Sequence, residues 1–128
     1  MPPGRLNATY SPNVAEARQL TFVRESTPAP GTLVRCWVQA SPARQLPNLQ
    51  RMPHLLVVGE ASAASSTNHC VSRYLTQAGV RNTWVNLGDV GIHGNGHMMM
   101  LEKNSLEIAA FLAGWLVDNV EKGPRTTS

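Results

Sequence analysis

The chain has 128 residues, 42% of them hydrophobic, with a formal net charge of +3. That is one domain's length with a globular composition, which excludes a disordered chain; a fold of this size buries roughly two-thirds of the surface it exposes when unfolded. The Lys and Arg residues are scattered, without a basic run or interleaved aromatics, which argues against nucleic-acid binding.

Met1-Pro2-Pro3-Gly4-Arg5 lacks the apolar region of a signal peptide, and no stretch approaches the ~18 apolar residues of a membrane span. The default expectation is therefore a soluble, cytoplasmic protein that does not engage a membrane. Cys36 and Cys70 lie far apart without C-x-x-C spacing, so they read as ordinary thiols rather than a disulfide. Asn7-Ala8-Thr9 matches a glycosylation sequon, a triplet that arises often by chance.

Residues 1–50 hold seven of the nine prolines and show no sustained period of 2 or 3.6, which predicts a loop-rich, partly disordered segment. Its strand-like stretch is Leu33-Val34-Arg35-Cys36-Trp37-Val38. Ala43-Arg44-Gln45-Leu46 is expected to form a helical turn that Pro47 stops. Residues 51–121 are regular. His54-Leu55-Leu56-Val57-Val58 is a continuous apolar run ending at Gly59, the pattern of a strand buried on both faces of a parallel sheet. A helix follows, capped by Ser65, Ser66 or Thr67, with Val71, Tyr74, Leu75 and Ala78 on its inward face and Gly79 as its stop.

The second strand is Thr83-Trp84-Val85-Asn86-Leu87, and a glycine-rich loop runs from Gly88 to Gly96. A closing helix spans about 105–120, opened by Asn104 with Glu107 at capping-box spacing. Apolar residues occupy most of its circumference (Leu106, Ile108, Phe111, Leu112, Trp115, Leu116), so it calls for burial. Residues 122–128 form a flexible tail. The order strand, helix, strand, loop, helix is one βαβ unit with a covering helix, and it implies an open parallel sheet. Two strands do not make a stable sheet, so further strands are expected from upstream sequence or another chain.

The chemistry-bearing segment is Asp89-Val90-Gly91-Ile92-His93-Gly94-Asn95-Gly96-His97, after a strand and before a helix, at the sheet edge where sites form in open α/β folds. Gly94 and Gly96 leave room for a substrate to approach His97. The run from Gly91 through Met98-Met99-Met100-Leu101-Glu102-Lys103-Asn104 to Ala109 resembles the C-terminal end of an esterase-like family of α/β hydrolases. In that family a Gly-Asn-Gly/Ser-His-Met-Met-Met segment precedes the final helix and carries the histidine of the triad. Ala43-Arg44-Gln45-Leu46-Pro47-Asn48-Leu49, Leu56-Val57-Val58-Gly59-Glu60-Ala61-Ser62 and Asn68-His69-Cys70 look like the same family's approach to its last two strands. The resemblance covers about residues 36–118.

The resemblance implies an α/β fold in which this chain is the C-terminal fragment of an α/β-hydrolase parallel sheet, its last two strands and two helices. It implies acyl transfer from a small-molecule ester to water, with no cofactor and His97 as general base. Glu60, directly after the first strand, stands in the usual place of the triad acid. Ala63-Ala64 replace an aromatic and a histidine common in that family. The nucleophile elbow Gly-x-Ser-x-Gly occurs nowhere in the 128 residues, so the chain alone is expected to be catalytically incomplete. Asp89 is a further carboxylate on the same loop and reads as a turn residue.

Two other readings are open. His93 and His97, with His69, Cys70 or Cys36, carry metal-ligand chemistry, but Gly94 and Gly96 argue against the helix that would put both loop histidines on one face. The other is a non-catalytic remnant that binds a partner through surfaces its missing strands would cover.

Overall fold

The structure, a computed structural model, describes residues 8–26 and 30–121. Asn7 of the sequon and the tail 122–128 lie outside them. The chain forms two compact units, residues 1–56 with 66–84 and residues 57–65 with 85–128. Among the described residues no helix is long and apolar enough to cross a membrane.

In the first unit, β1 (Phe22–Arg24) and β2 (Trp37–Gln39) pair antiparallel, with Val23 opposite Val38. β2 starts later than the apolar stretch from Leu33 suggests. The backbone at Val34 is engaged elsewhere, its N–H donating to Ser66 O at 3.0 Å and its carbonyl meeting His69 Nε2 at 2.9 Å. Residues 43–46 are not helical, and Gln45 forms an isolated β-bridge. Gln45 exchanges backbone hydrogen bonds with Ser11 at 2.9 and 2.8 Å, and Leu46 N–H donates to Ala78 O, so tertiary partners take the groups a helical turn would use. The 3₁₀ turn falls after Pro47, at Leu49–Arg51.

Helix α1 (His69–Gln77) ends where expected, with Ala78 closing it and Gly79 at φ +78° supplying the left-handed stop. Its core face joins Ala78 and Val80 to Leu46, with Tyr10, Leu49, Tyr74 and Leu75 packed around them. Val71 is exposed, and His69 is buried instead. The Gln77 side chain bridges to β2, accepting from Gln39 N at 2.9 Å and donating to Gln39 O at 2.7 Å.

Cys36 and Cys70 form a disulfide, contrary to the free thiols expected from their spacing. The contact is made because β2 lies against α1, which brings two cysteines 34 residues apart in sequence to a Cα separation of 5.3 Å.

β3 (His54–Val58) and β4 (Asn82–Asn86) pair in a second two-stranded sheet. β3 is only half-buried except at Val58, because among the described residues it has one hydrogen-bonded neighbour where its apolar run suits two. In the second unit the chain leaves β4 through a 3₁₀ turn, Leu87–Val90, opened by Asn86, whose side chain accepts from Gly88 N at 2.9 Å, and closed by Gly91 in the left-handed region. Leu87, Ile92 and Ile108 form the core, with Val57, Met99, Phe111 and Leu112 against them.

Helix α2 (Ser105–Leu116) continues as a short π-helical segment, Val117–Glu121. It buries Ile108 and packs Phe111 and Leu112 on the core but leaves Leu106 83% and Leu116 50% exposed, so one side of its apolar circumference meets solvent. The expected capping by the Asn104 side chain does not form. That amide is engaged with Asn95, and only the Asn104 carbonyl serves the helix start, accepting from Glu107 N and Ile108 N.

Candidate active site

The candidate residues meet within the second unit, where the turn after β3 lies against the loop between β4 and α2. Gly59 sets how close they come. A Cβ there would stand 2.5 Å from Asn95 O and 2.7 Å from Gly96 O, so only glycine admits this backbone approach. Ala61 N–H donates to Asn95 O at 2.9 Å, fastening turn to loop.

The loop is also held from its far side. Asn95 is 1% exposed, and its side-chain amide pairs reciprocally with that of Asn104: Asn95 Nδ2 donates to Asn104 Oδ1, and Asn104 Nδ2 donates to Asn95 Oδ1 at 3.3 Å. Gly96 N–H donates to Glu102 Oε1 at 3.2 Å. Immediately after His97, Met98 O accepts from Leu101 N–H at 3.0 Å. His97 is thus exposed on a segment tied on both sides, the property a positioned proton-transfer group needs. Gly94 takes φ +81°, which turns the loop before Asn95.

Glu60, the expected triad acid, does not bond to His97. Its Oε2 meets His93 Nδ1 at 2.8 Å, and its Oε1 accepts from Gly94 N–H at 3.2 Å. The His93 hydrogen bond first, and the Gly94 amide second, hold the Glu60 carboxyl below the usual carboxylate range. Both side chains are largely solvent-exposed, so as an ion pair the contact is worth little; its role is to fix the loop.

His97 Nδ1 instead faces Ser62 Oγ at 3.2 Å. Ser62 is 4% exposed, and its Oγ also accepts from Ala64 N–H at 3.1 Å. Asp89 lies exposed in the 3₁₀ turn, as expected of a turn residue. In the sequence Ser62 only closes the run from Leu56 that carries the resemblance and has no role, and His93 stands out only as a metal ligand. The available signal was position alone: Ser62 shares the end of β3 with Glu60.

Among the described residues, the group able to present three metal ligands is Cys36, His69 and Cys70, in the first unit. The disulfide consumes both thiolates, so this trio does not offer the soft donors a zinc or copper site uses. His93 and His97 are each engaged with another partner, Glu60 and Ser62. Two clefts of about 200 and 260 Å³ lie in the first unit, lined by residues such as Gln39 and Arg44, and Leu46 and Leu49; the histidine loop lines neither.

No protein-family model matches the chain, and no solved structure matches it. Over 81 residues, 63% of its length, the chain is 47% identical to a protein from Fungal sp. (strain ATCC 74256) named "Probable secreted lipase phiG". The matched part spans 22% of that relative's length. The chain is therefore similar, across most of its own residues, to a small part of a lipase-named protein.

Proposed function

We propose that this chain is the C-terminal part of a serine-type ester hydrolase of α/β-hydrolase fold, with His97 as its general base. The similarity to a lipase-named protein carries the reading, and the anchored, exposed placement of His97 supports it. A serine outside these residues attacks the carbonyl of a small-molecule ester, His97 takes the serine proton, and the ring then delivers that proton to the leaving alcohol. Glu60 serves the site by holding the loop through His93 and Gly94. No step calls for a cofactor.

The 128 residues contain no Gly-x-Ser-x-Gly, so the chain alone is expected to turn over ester at background rate. The disulfide supports passage through an oxidising compartment in place of the cytoplasmic default, in keeping with the word "secreted" in the relative's name. A second reading, a non-catalytic fragment that binds a partner, is favoured by one observation: Leu101, Leu106 and Met100 are 79%, 83% and 62% exposed around the start of α2.

A p-nitrophenyl ester assay separates the two, applied to the chain alone and to a fusion with the coding sequence upstream of Met1. The extended protein should be active and should lose about a thousandfold or more in kcat on His97→Ala. Turnover that survives this substitution would sink the assignment of His97, and an upstream region without a nucleophile elbow would favour the binding fragment.

A further inference from the structure

We propose that Ser62 is a positioning residue that holds His97 in the resting tautomer, with the ring proton on Nε2; this rests on the reading of His97 as a general base. The serine is fixed independently of the histidine. Ser62 N–H donates to Gly59 O at 3.0 Å, Ser65 N–H donates to Ser62 O at 3.0 Å, and Ala64 N–H donates to the Ser62 Oγ at 3.1 Å.

A hydroxyl has one proton to donate and two lone pairs to accept with. Ala64 occupies one lone pair. The proton needs an acceptor, since a buried O–H left unpaired is destabilising, and among the described residues the acceptor in reach is His97 Nδ1 at 3.2 Å. Ser62 therefore donates, Nδ1 is the bare nitrogen, and the neutral ring carries its proton on Nε2. A general base of the serine-hydrolase type works the other way round, with Nδ1 protonated and Nε2 free to take the serine proton. A carboxylate enforces that arrangement because it can only accept. Glu60, the nearest carboxylate in sequence, is occupied by His93 and Gly94.

Ser62 is not itself the nucleophile in this arrangement. Its Oγ is buried and already holds the Ala64 N–H, and it meets the ring at Nδ1, so no open face remains for a carbonyl. Ser62 thus orients the imidazole while keeping it from acting as a base, and the ring becomes competent once an acceptor at Nδ1 displaces the hydroxyl's proton.

The test uses the full chain with ¹⁵N-labelled histidine and long-range ¹H–¹⁵N spectra at mildly alkaline pH, with His97→Gln to assign the ring signals. The proposal expects the ratio of Nε2–H to Nδ1–H for His97 to exceed that of the same ring in urea by about fivefold, the factor a hydrogen bond of ordinary net strength gives. Ser62→Ala should abolish the excess, Ser62→Thr should keep it, and Ser62→Asp should invert the ratio, with His93 unmoved in each. A native His97 ring protonated mainly on Nδ1 would overturn the proposal, and that reading needs no variant to fold. Labelling of Ser62 by a fluorophosphonate would also overturn it, as would an unchanged ratio in a Ser62→Ala protein with a native amide spectrum. The spectra read the Ser62 contact and the ester assay reads the base, so failure of one is distinguishable from failure of the other.

Discussion

The two units hold themselves together by different means. In the first, a disulfide joins residues 34 apart, and polar side chains such as Gln39 and Gln77 stitch β2 to α1. In the second, the core is Leu87, Ile92 and Ile108, and a glycine-rich loop is held by the reciprocal Asn95 and Asn104 amides and by Glu60. The first arrangement resists unfolding by limiting the freedom of the open chain. The second places one side chain accurately, with a small core and little to spare.

The largest expected effect breaks the first unit's advantage. Replacing Cys36 and Cys70 with Ala removes a closure across 34 residues and should cost about 4 kcal/mol by the chain-entropy relation. Denaturant melts of oxidised and substituted protein check it, and coincident midpoints would show that the bond adds nothing. Next is the second unit's core. Leu87→Ala, at a residue with no exposure, should cost about 3 kcal/mol, whereas Leu106→Ala on the open side of α2 should stay within about 0.5 kcal/mol. Similar losses at both positions would mean that α2 is covered in solution.

Gly59→Ala sharpens the contrast by loading the loop contact alone. A Cβ meeting Asn95 O and Gly96 O should cost about 1–3 kcal/mol and shift the Gly96 and His97 resonances, while those of α1 stay in place. The smallest effect is that of pH. Glu60 has its pKa lowered in the fold, so what the carboxylate contributes is fully present above the ordinary carboxylate range and is lost only as pH falls through the lowered value. The Glu60 carboxyl ¹³C shift and the Gly94 amide should titrate together below the midpoint of an unstructured glutamate. A midpoint at or above that value would remove Glu60 from its place as the loop's anchor.

How much of this could be read beforehand follows from the range of the interactions. β3, α1, β4 and α2 were legible because their signals are local: an apolar run ending in Gly59, the spacing of Tyr74, Leu75 and Ala78, and the stop at Gly79. The strand β1 was missed because three residues, all exposed, leave no alternating pattern. Residues 43–46 misled because their propensity yields to partners far along the chain, Ser11 and Ala78. The disulfide depends on the same kind of long-range placement.

The site was half legible. His97 stood out by its motif, and Glu60 by its place at a strand end. Which carboxylate or hydroxyl reaches which ring nitrogen is a matter of an ångström or two, and neither Ser62 nor the diversion of Glu60 to His93 leaves a trace in residue spacing.

The cross-link between Cys36 and Cys70 makes redox history part of the sample's identity. Protein produced where glutathione keeps thiols reduced and protein produced in an oxidising lumen share one sequence and differ by a covalent bond. Cys36 is buried but Cys70 only half so, and exchange can begin at the Cys70 sulfur, so the bond can change after folding as well as during it. Two preparations that disagree in stability should therefore be compared first by counting their free thiols.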